Sequence, residues 1–187
     1  AAPTTPASPA PAAEPPPPPP RPAGALSDRV VAYTIRAQLD PGPHAITGEM
    51  TLLWRNASHV PADEVVLFLY MNAFKNDETV FARESHGSHR GQERVDYGYI
   101  DLASLTTADG ADLLARARAE DTVLRVPLAR PVAPGATLEL RARFRTRLPH
   151  VFARTGYHGN FFMVGQWFPK IAVRDPDGRW RAYPFHY

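Results

Sequence analysis

An all-β fold, an antiparallel β-sandwich, is what this sequence predicts, on three observations. Apolar and polar residues alternate with the two-residue period of strands in several stretches. Pro, Gly and Asp turn signals separate those stretches at intervals of roughly a dozen residues. Almost nothing carries the period of an amphipathic helix. With 187 residues, 44% of them hydrophobic and 10% aromatic, the chain can bury one core but has little material for a second.

Residues 1–25 are nearly pure Pro and Ala, including "EPPPPPPRP", with no bulky apolar side chain before Leu26. Such a segment has nothing to bury and reads as a disordered, semi-rigid polyproline spacer in front of a folded domain spanning 26–187. The first residue is Ala and the Ala/Pro/Thr/Ser composition suits the stretch just past a removed export signal, so the expected location is periplasmic or extracellular.

The folded part opens with "RVVAYTIRAQLD", where Val31, Tyr33, Ile35, Ala37 and Leu39 alternate with Ala32, Thr34, Arg36 and Gln38. The turn "DPGPH" leads into "AITGEMTLLWRN", with Ile46, Met50, Leu52 and Trp54 on one face and Thr47, Glu49, Thr51 and Arg55 on the other. The two make a long hairpin. "EVVLFLY" is apolar on both faces and predicts a central strand covered on both sides. From "NAFKNDET" to "GSHRGQERV" periodicity is lost, which predicts a long surface loop with a short helical turn near "TVFARE". Strand pattern returns at "VDYGYIDLASLTTADG"; "ADLLARARAED" has helix-favouring residues between two turn signals and is read as strand. Pro134-Gly135 then joins two alternating strands, the second setting Leu138, Leu140, Ala142, Phe144 and Thr146 against Glu139, Arg141, Arg143, Arg145 and Arg147. Asn160 to Phe168 has the apolar content of a buried strand, Pro169 ends it, and "RDPDGRW" supplies the turn of a last core hairpin.

Composition excludes several chemistries. A formal charge of +2 gives no general attraction to nucleic acid, and the Arg141–Arg147 stripe lacks interleaved aromatics for base stacking, so it reads as a solvated strand face. The absence of Cys rules out disulfides, thiolate metal sites and a thiol nucleophile. No apolar run reaches the roughly 20 residues that cross a bilayer. His86 and His89 lie near Glu84 and Glu93, ligand types zinc uses, but Gly and Ser between them fix no geometry and no metal site is expected here. There is no Gly-x-Ser-x-Gly elbow, no phosphate loop and no His-Glu-x-x-His, so the segment itself carries no catalytic residue. Asn56-Ala57-Ser58 matches a glycosylation acceptor placed in a turn.

The order of "YTIRAQLDPGPHAITGEMTLLWRNAS", "EVVLFLYMNAF", "PLARPVAPGATLELRARF" and "GQWFPKIAV" resembles the amino-terminal β domain of the zinc aminopeptidase family typified by aminopeptidase N. The likeness runs from about Leu26 to Tyr187. It implies a saddle-like β-sandwich packed on a thermolysin-like catalytic domain, with the zinc, the general-base Glu and the Gly-x-Met-Glu-Asn element all downstream. It also implies a loop with a pattern like Gln-Phe-Glu-Pro that reaches the cleft and helps hold the substrate amino end. Gln166 matches the first Gln, Trp167 the aromatic and Pro169 the proline, while Phe168 stands where the family has an acid. The resemblance therefore makes Gln166, Trp167 and Phe168 the candidate substrate-binding residues. A phenyl ring attracts a cation by about 0.5–2 kcal/mol but does not neutralise it as carboxylate does.

On this reading the chain is the non-catalytic amino-terminal domain of an exported zinc-dependent aminopeptidase. It braces a downstream catalytic domain and walls a cleft for a peptide substrate, and the zinc is the parent's. Family members have further strands after the element at Gln166, so a sandwich ending at Tyr187 is expected to lack its last strands and to leave an open edge. The rival is a non-catalytic extracellular binding or scaffold module that uses such an edge.

Overall fold

The computed structural model describes residues 29–89, 91–93, 95–151 and 153–187; the spacer expected over 1–25 lies outside the described residues. Strands β1 (Val31–Asp40) and β2 (Ala45–Arg55) form the predicted hairpin, paired from Val31 opposite Trp54 to Asp40 opposite Ala45. On β1 the alternation holds through Ile35, but Ala37 and Leu39 are exposed, because the far half of this edge strand projects past the core. Strand β3 (Ala62–Phe68) buries Val65, Val66 and Leu67 in succession, as a strand covered on both faces must.

The short helical turn expected near "TVFARE" is present, but the segment around it is not the surface loop its lost periodicity predicts. A 3-10 turn, Tyr70–Phe74, buries Met71, Asn72, Ala73 and Phe74, and helix α1 (Val80–Ser85) buries Phe81 and Ala82. Thr79 caps α1: its Oγ1 accepts from the Ala82 amide at 3.1 Å and donates to the Ala73 carbonyl at 2.7 Å. Irregular backbone delivers these side chains to the core one by one, so no period is written in the sequence.

A small ribbon, β4 (Ser88–His89) and β5 (Gln92–Glu93), precedes β6 (Tyr99–Thr107). Over "ADLLARARAED" the expected strand is reduced to β7 (Arg118–Glu120), preceded by a 3-10 turn at Leu114–Arg116. Strands β8 (Val123–Val132) and β9 (Thr137–Arg147) flank the Pro134-Gly135 turn, where Gly135 takes a φ of 77°. The closing region holds β10 (Gly156–His158), β11 (Phe161–Met163), β12 (Lys170–Ile171), β13 (Val173–Arg174) and β14 (Trp180–Arg181). The buried strand expected over Asn160 to Phe168 is instead the exposed half of a short β10-β11 ribbon, with Phe161 64% and Met163 45% exposed. The backbone of Gly165 presses so closely on the Arg154 carbonyl that a Cβ would lie 2.5 Å from it, and the chain turns inward there.

Two four-stranded antiparallel sheets, ordered β1-β2-β9-β6 and β12-β3-β8-β7, make the sandwich, which does not close into a barrel. Leu52, Trp54, Leu140 and Phe144 of the first sheet share one buried cluster with Val65, Leu67, Leu124 and Val126 of the second. Val66 points the other way, to Val123 and Ala172 under Trp180. Each buried aliphatic or aromatic side chain contributes about 1.5–3 kcal/mol. The Arg143–Glu49 and Arg141–Glu139 pairs on the outer face are open to water and contribute about 0–1 kcal/mol, so apolar burial holds the sheets together.

Gly48 is opposite Phe144, whose ring lies over its backbone; a Cβ there would sit 2.4 Å from Phe144 Cζ. Asn56 is fully buried, and its Nδ2 donates to the carbonyls of Val60 and Val132, both at 2.9 Å. That geometry makes the Asn-x-Ser match an accidental one, as so short a motif most often is, because the amide nitrogen a glycan needs is enclosed and already used. Gly48→Ala is expected to lower unfolding stability by about 1–3 kcal/mol, and Asn56→Ala by about 1–3 kcal/mol through stranded buried carbonyls. Denaturant midpoints of the two variants check both, and an unchanged midpoint for Gly48→Ala refutes the packing of Phe144 on β2.

Candidate functional site

A cavity of about 300 Å³ opens where the 3-10 turn after β3, helix α1, the segment before β10 and the closing residues meet. One side is aromatic. Phe81 packs edge-on to Phe74 at 5.4 Å, tilted on Phe185 at 5.3 Å, and edge-on to Tyr187 at 5.9 Å, while Tyr70 meets Phe185 edge-on at 5.6 Å. Edge-to-face contacts of this kind add about 0.5–1.5 kcal/mol each beyond area burial. Arg154, Thr155, Gln166 and His186 contribute the polar groups of the lining.

Polar contacts seat the closing segment against this wall. The Phe185 amide donates to Thr122 Oγ1 at 2.9 Å. Glu84 takes the Tyr187 amide on Oε2 at 2.9 Å, and its Oε1 lies 2.8 Å from His186 Nδ1. The Tyr187 amide first, and His186 second, hold the Glu84 carboxyl below the usual range. Asp121, at a φ of 52°, accepts from the Val80 amide at 2.7 Å and ties the start of α1 to the β7-β8 turn.

Gln166 is exposed on the cavity rim and adopts a φ of 56°, a left-handed conformation that costs a non-Gly residue about 1–2 kcal/mol. Its Oε1 accepts a hydrogen bond from Lys170 Nζ. Lys170 also stands 5.0 Å from the centre of the Phe168 ring, and burial lowers its pKa. The amide oxygen of Gln166 thus already faces an ammonium group, supplied from four residues along the chain.

Trp167 and Phe168 are half-buried and face the sandwich. The Trp167 ring lies 5.9 Å from Phe144, and its carbonyl accepts from Thr146 Oγ1 at 2.7 Å. Phe168 packs edge-on to Tyr33 at 5.5 Å, whose hydroxyl accepts the Ile171 amide at 2.9 Å. Of the three candidates, Gln166 alone lines the cavity. The aromatic side was not assigned from sequence. Phe74 and Phe81 sit in the aperiodic segment, and the density of aromatics near Tyr187 was the one available signal.

The histidines and acids of the 84–93 segment do not converge. His89 packs edge-on to Tyr187 at 5.5 Å, and Glu84 turns to the closing residues. Among the described residues no group of three or more His, Asp or Glu could hold a metal ion. The Arg stripe of β9 borders a solvated groove on the outer sheet face with Arg36, Glu49 and Thr34. No helix among the described residues is long and apolar enough to cross a membrane.

No family model and no curated protein matches the sequence. Among solved structures, an M1 zinc metallopeptidase from Deinococcus radiodurans is similar at 19% identity and a TM-score of 0.42, over 70% of this chain and 24% of that one. A two-domain M1 zinc metallopeptidase bound to L-tryptophan is similar at 18% identity and a TM-score of 0.43, over 72% and 26%. A CBM3a-L domain from the scaffoldin of the Clostridium thermocellum cellulosome aligns at 12% identity and a TM-score of 0.29, over 81% and 94%. The chain spans about a quarter of the length of the metallopeptidase structures.

Gln166→Gly is expected to leave stability unchanged or raise it by up to about 1 kcal/mol, since Gly adopts positive φ without a Cβ penalty. A fall in the thermal midpoint shows instead that the side chain is structural. The depressed pKa of Glu84 makes its contacts a stabilising contribution that is complete above the unfolded value of about 4.3 and lost as pH falls through the lower folded value. Amide exchange at Tyr187 is therefore expected to accelerate below about pH 4.3 relative to neutral pH, corrected for intrinsic rates.

Proposed function

We propose that this chain is the amino-terminal β-sandwich domain of an exported zinc-dependent aminopeptidase, and that its part in the reaction is positional. The observation that carries the reading is Gln166, which the sequence resemblance places at the substrate amino end and whose amide stands exposed at the rim of an aromatic-lined cavity. An amide oxygen accepts from an ammonium donor, and Lys170 occupies that role within the chain. A substrate amine arriving at the rim would exchange with Lys170. Phe168, at the family's acidic position, offers no countercharge, so this loop orients an amine more than it neutralises one.

On this reading the zinc of such a peptidase would be held by residues of a downstream domain. Trp167 and Phe168 would act through the loop, their rings fixing the corner on which Gln166 is carried. The sandwich would brace the catalytic domain and wall one side of a peptide-binding cleft.

The full-length protein is expected to encode a His-Glu-x-x-His with a further Glu after Tyr187, to bind one zinc and to release amino acids from chromogenic amides. Gln166→Ala should raise KM or lower kcat, while residues 1–187 alone should be inert. Unchanged kinetics for Gln166→Ala removes the contact assigned to it. A downstream region without those ligands removes the peptidase reading and leaves the binding module, for which the ten-residue edge strand β1 is the available template.

A further inference from the structure

Residues 149–151 run beside Tyr157 and His158 on the side of the molecule that carries β10. His150 pairs in parallel with Tyr157, the Val151 amide donates to the Tyr157 carbonyl at 2.8 Å, and the Tyr157 amide donates to the Pro149 carbonyl at 3.0 Å. The Tyr157 ring stacks on His44 with centroids 3.4 Å apart and planes 7° from parallel, and meets His150 edge-on at 5.7 Å. Asp96 fixes the same corner from another segment, accepting the His150 amide at 2.5 Å and the Tyr157 hydroxyl at 3.2 Å. Burial, then the Asp96 carboxylate, raises the Tyr157 pKa, so the phenol stays a donor.

This framework brings His150 Nε2 to 3.3 Å from His158 Nδ1, with the ring planes at 75°. Two imidazole nitrogens that share a zinc ion each lie about 2.05 Å from it, and at 3.3 Å apart they subtend about 107° there, close to the tetrahedral angle of about 109°. The same approach is compatible with one ring donating a proton to the other, but a proton fills the gap only when one ring is the correct tautomer. A borderline divalent cation uses both lone pairs at once. The Asp96 carboxylate that fixes the corner is paired with Arg147 at 3.9 Å, so the two imidazoles alone are the protein ligands.

We propose that His150 and His158 form a two-imidazole site for a divalent transition-metal cation of the zinc class, with the remaining coordination positions filled by water. His158 is exposed and His150 half-buried, so the ion reaches them without opening the fold. Once bound, it would tie His150 to His158, and Ala153, Arg154 and Thr155 between them line the aromatic cavity. The site thus staples one wall of that cavity. The proposal stands whether or not the chain belongs to a peptidase.

Titration of the 187-residue chain with zinc chloride at neutral pH, followed by calorimetry and by nitrogen chemical shifts of the imidazoles, tests the site. The expected result is uptake of one ion, with shifts at His150 Nε2 and His158 Nδ1 and none at His44, His59, His86, His89 or His186. His158→Ala lies at an exposed position and should fold normally while losing the uptake; His150→Ala should lose it as well. No uptake, equal shifts at the other histidines, or undiminished binding by His158→Ala each overturns the proposal and leaves a proton shared between the two rings.

Discussion

One buried amide holds an end of the sandwich together. The Asn56 backbone amide donates to the Ala136 carbonyl at 2.9 Å, its carbonyl accepts from Gly135 at 2.7 Å, and its Nδ2 reaches Val132 and Val60, so one residue ties the β2-β3 link to the β8-β9 turn. Its Oδ1 accepts from Ser58 Oγ at 2.7 Å and from Arg174 Nη1 at 3.0 Å. Through Nη1, Nη2 and Nε, Arg174 continues to the carbonyls of Val60, Pro61 and Gly178. The β13-β14 ribbon is too short to hold itself, and this guanidinium docks it onto the sandwich with Trp180 against Trp54 at 5.4 Å. The half-buried guanidinium also donates to Ser58 Oγ at 2.7 Å, so its donors are taken up by this one end of the fold.

The fold was legible wherever one face of a strand meets the core and the other meets water. β2 and β9 read correctly residue by residue, because eleven paired positions repeat the same choice between burial and solvent. Gly48 broke the pattern without revealing that Phe144 lies over it. In the aperiodic 72–95 segment the short helix is legible but the burial around it is not, for a related reason. Its apolar side chains are buried by single-residue geometry, the Asn72 side chain accepting the Ile100 amide at 2.9 Å and Thr79 closing the helix cap. Such contacts are long-range and specific, and they leave no period to find.

The candidate site divided the same way. Gln166 is a candidate through resemblance alone, and its exposure is not something periodicity predicts. Trp167 and Phe168 could not be separated from it by sequence, because the corner at Gln166 turns on a positive φ that no neighbouring residue announces. Gly165, crowded against Arg154, forces the chain around, and the next two side chains fall inward onto Phe144 and Tyr33. The aromatic wall joins residues about a hundred positions apart, as the contact of Phe81 with Phe185 shows.

The sandwich and the cavity differ in how they are held. Between the sheets, dozens of apolar contacts act at once, and removing any one large side chain costs a few kcal/mol. Around the cavity, irregular segments meet the sandwich through separate polar contacts, Thr122 to the Phe185 amide, Thr146 to the Trp167 carbonyl and Asp121 to the Val80 amide. Each contributes about 0.5–1.5 kcal/mol net. Asp121 keeps a second oxygen, Oδ1, buried with no hydrogen-bond partner, which offsets part of what its contact gains. Phe74, Phe81 and Phe185 of the cavity wall also pack into the cluster that joins the two sheets, so the wall is anchored by apolar burial as well as by these contacts.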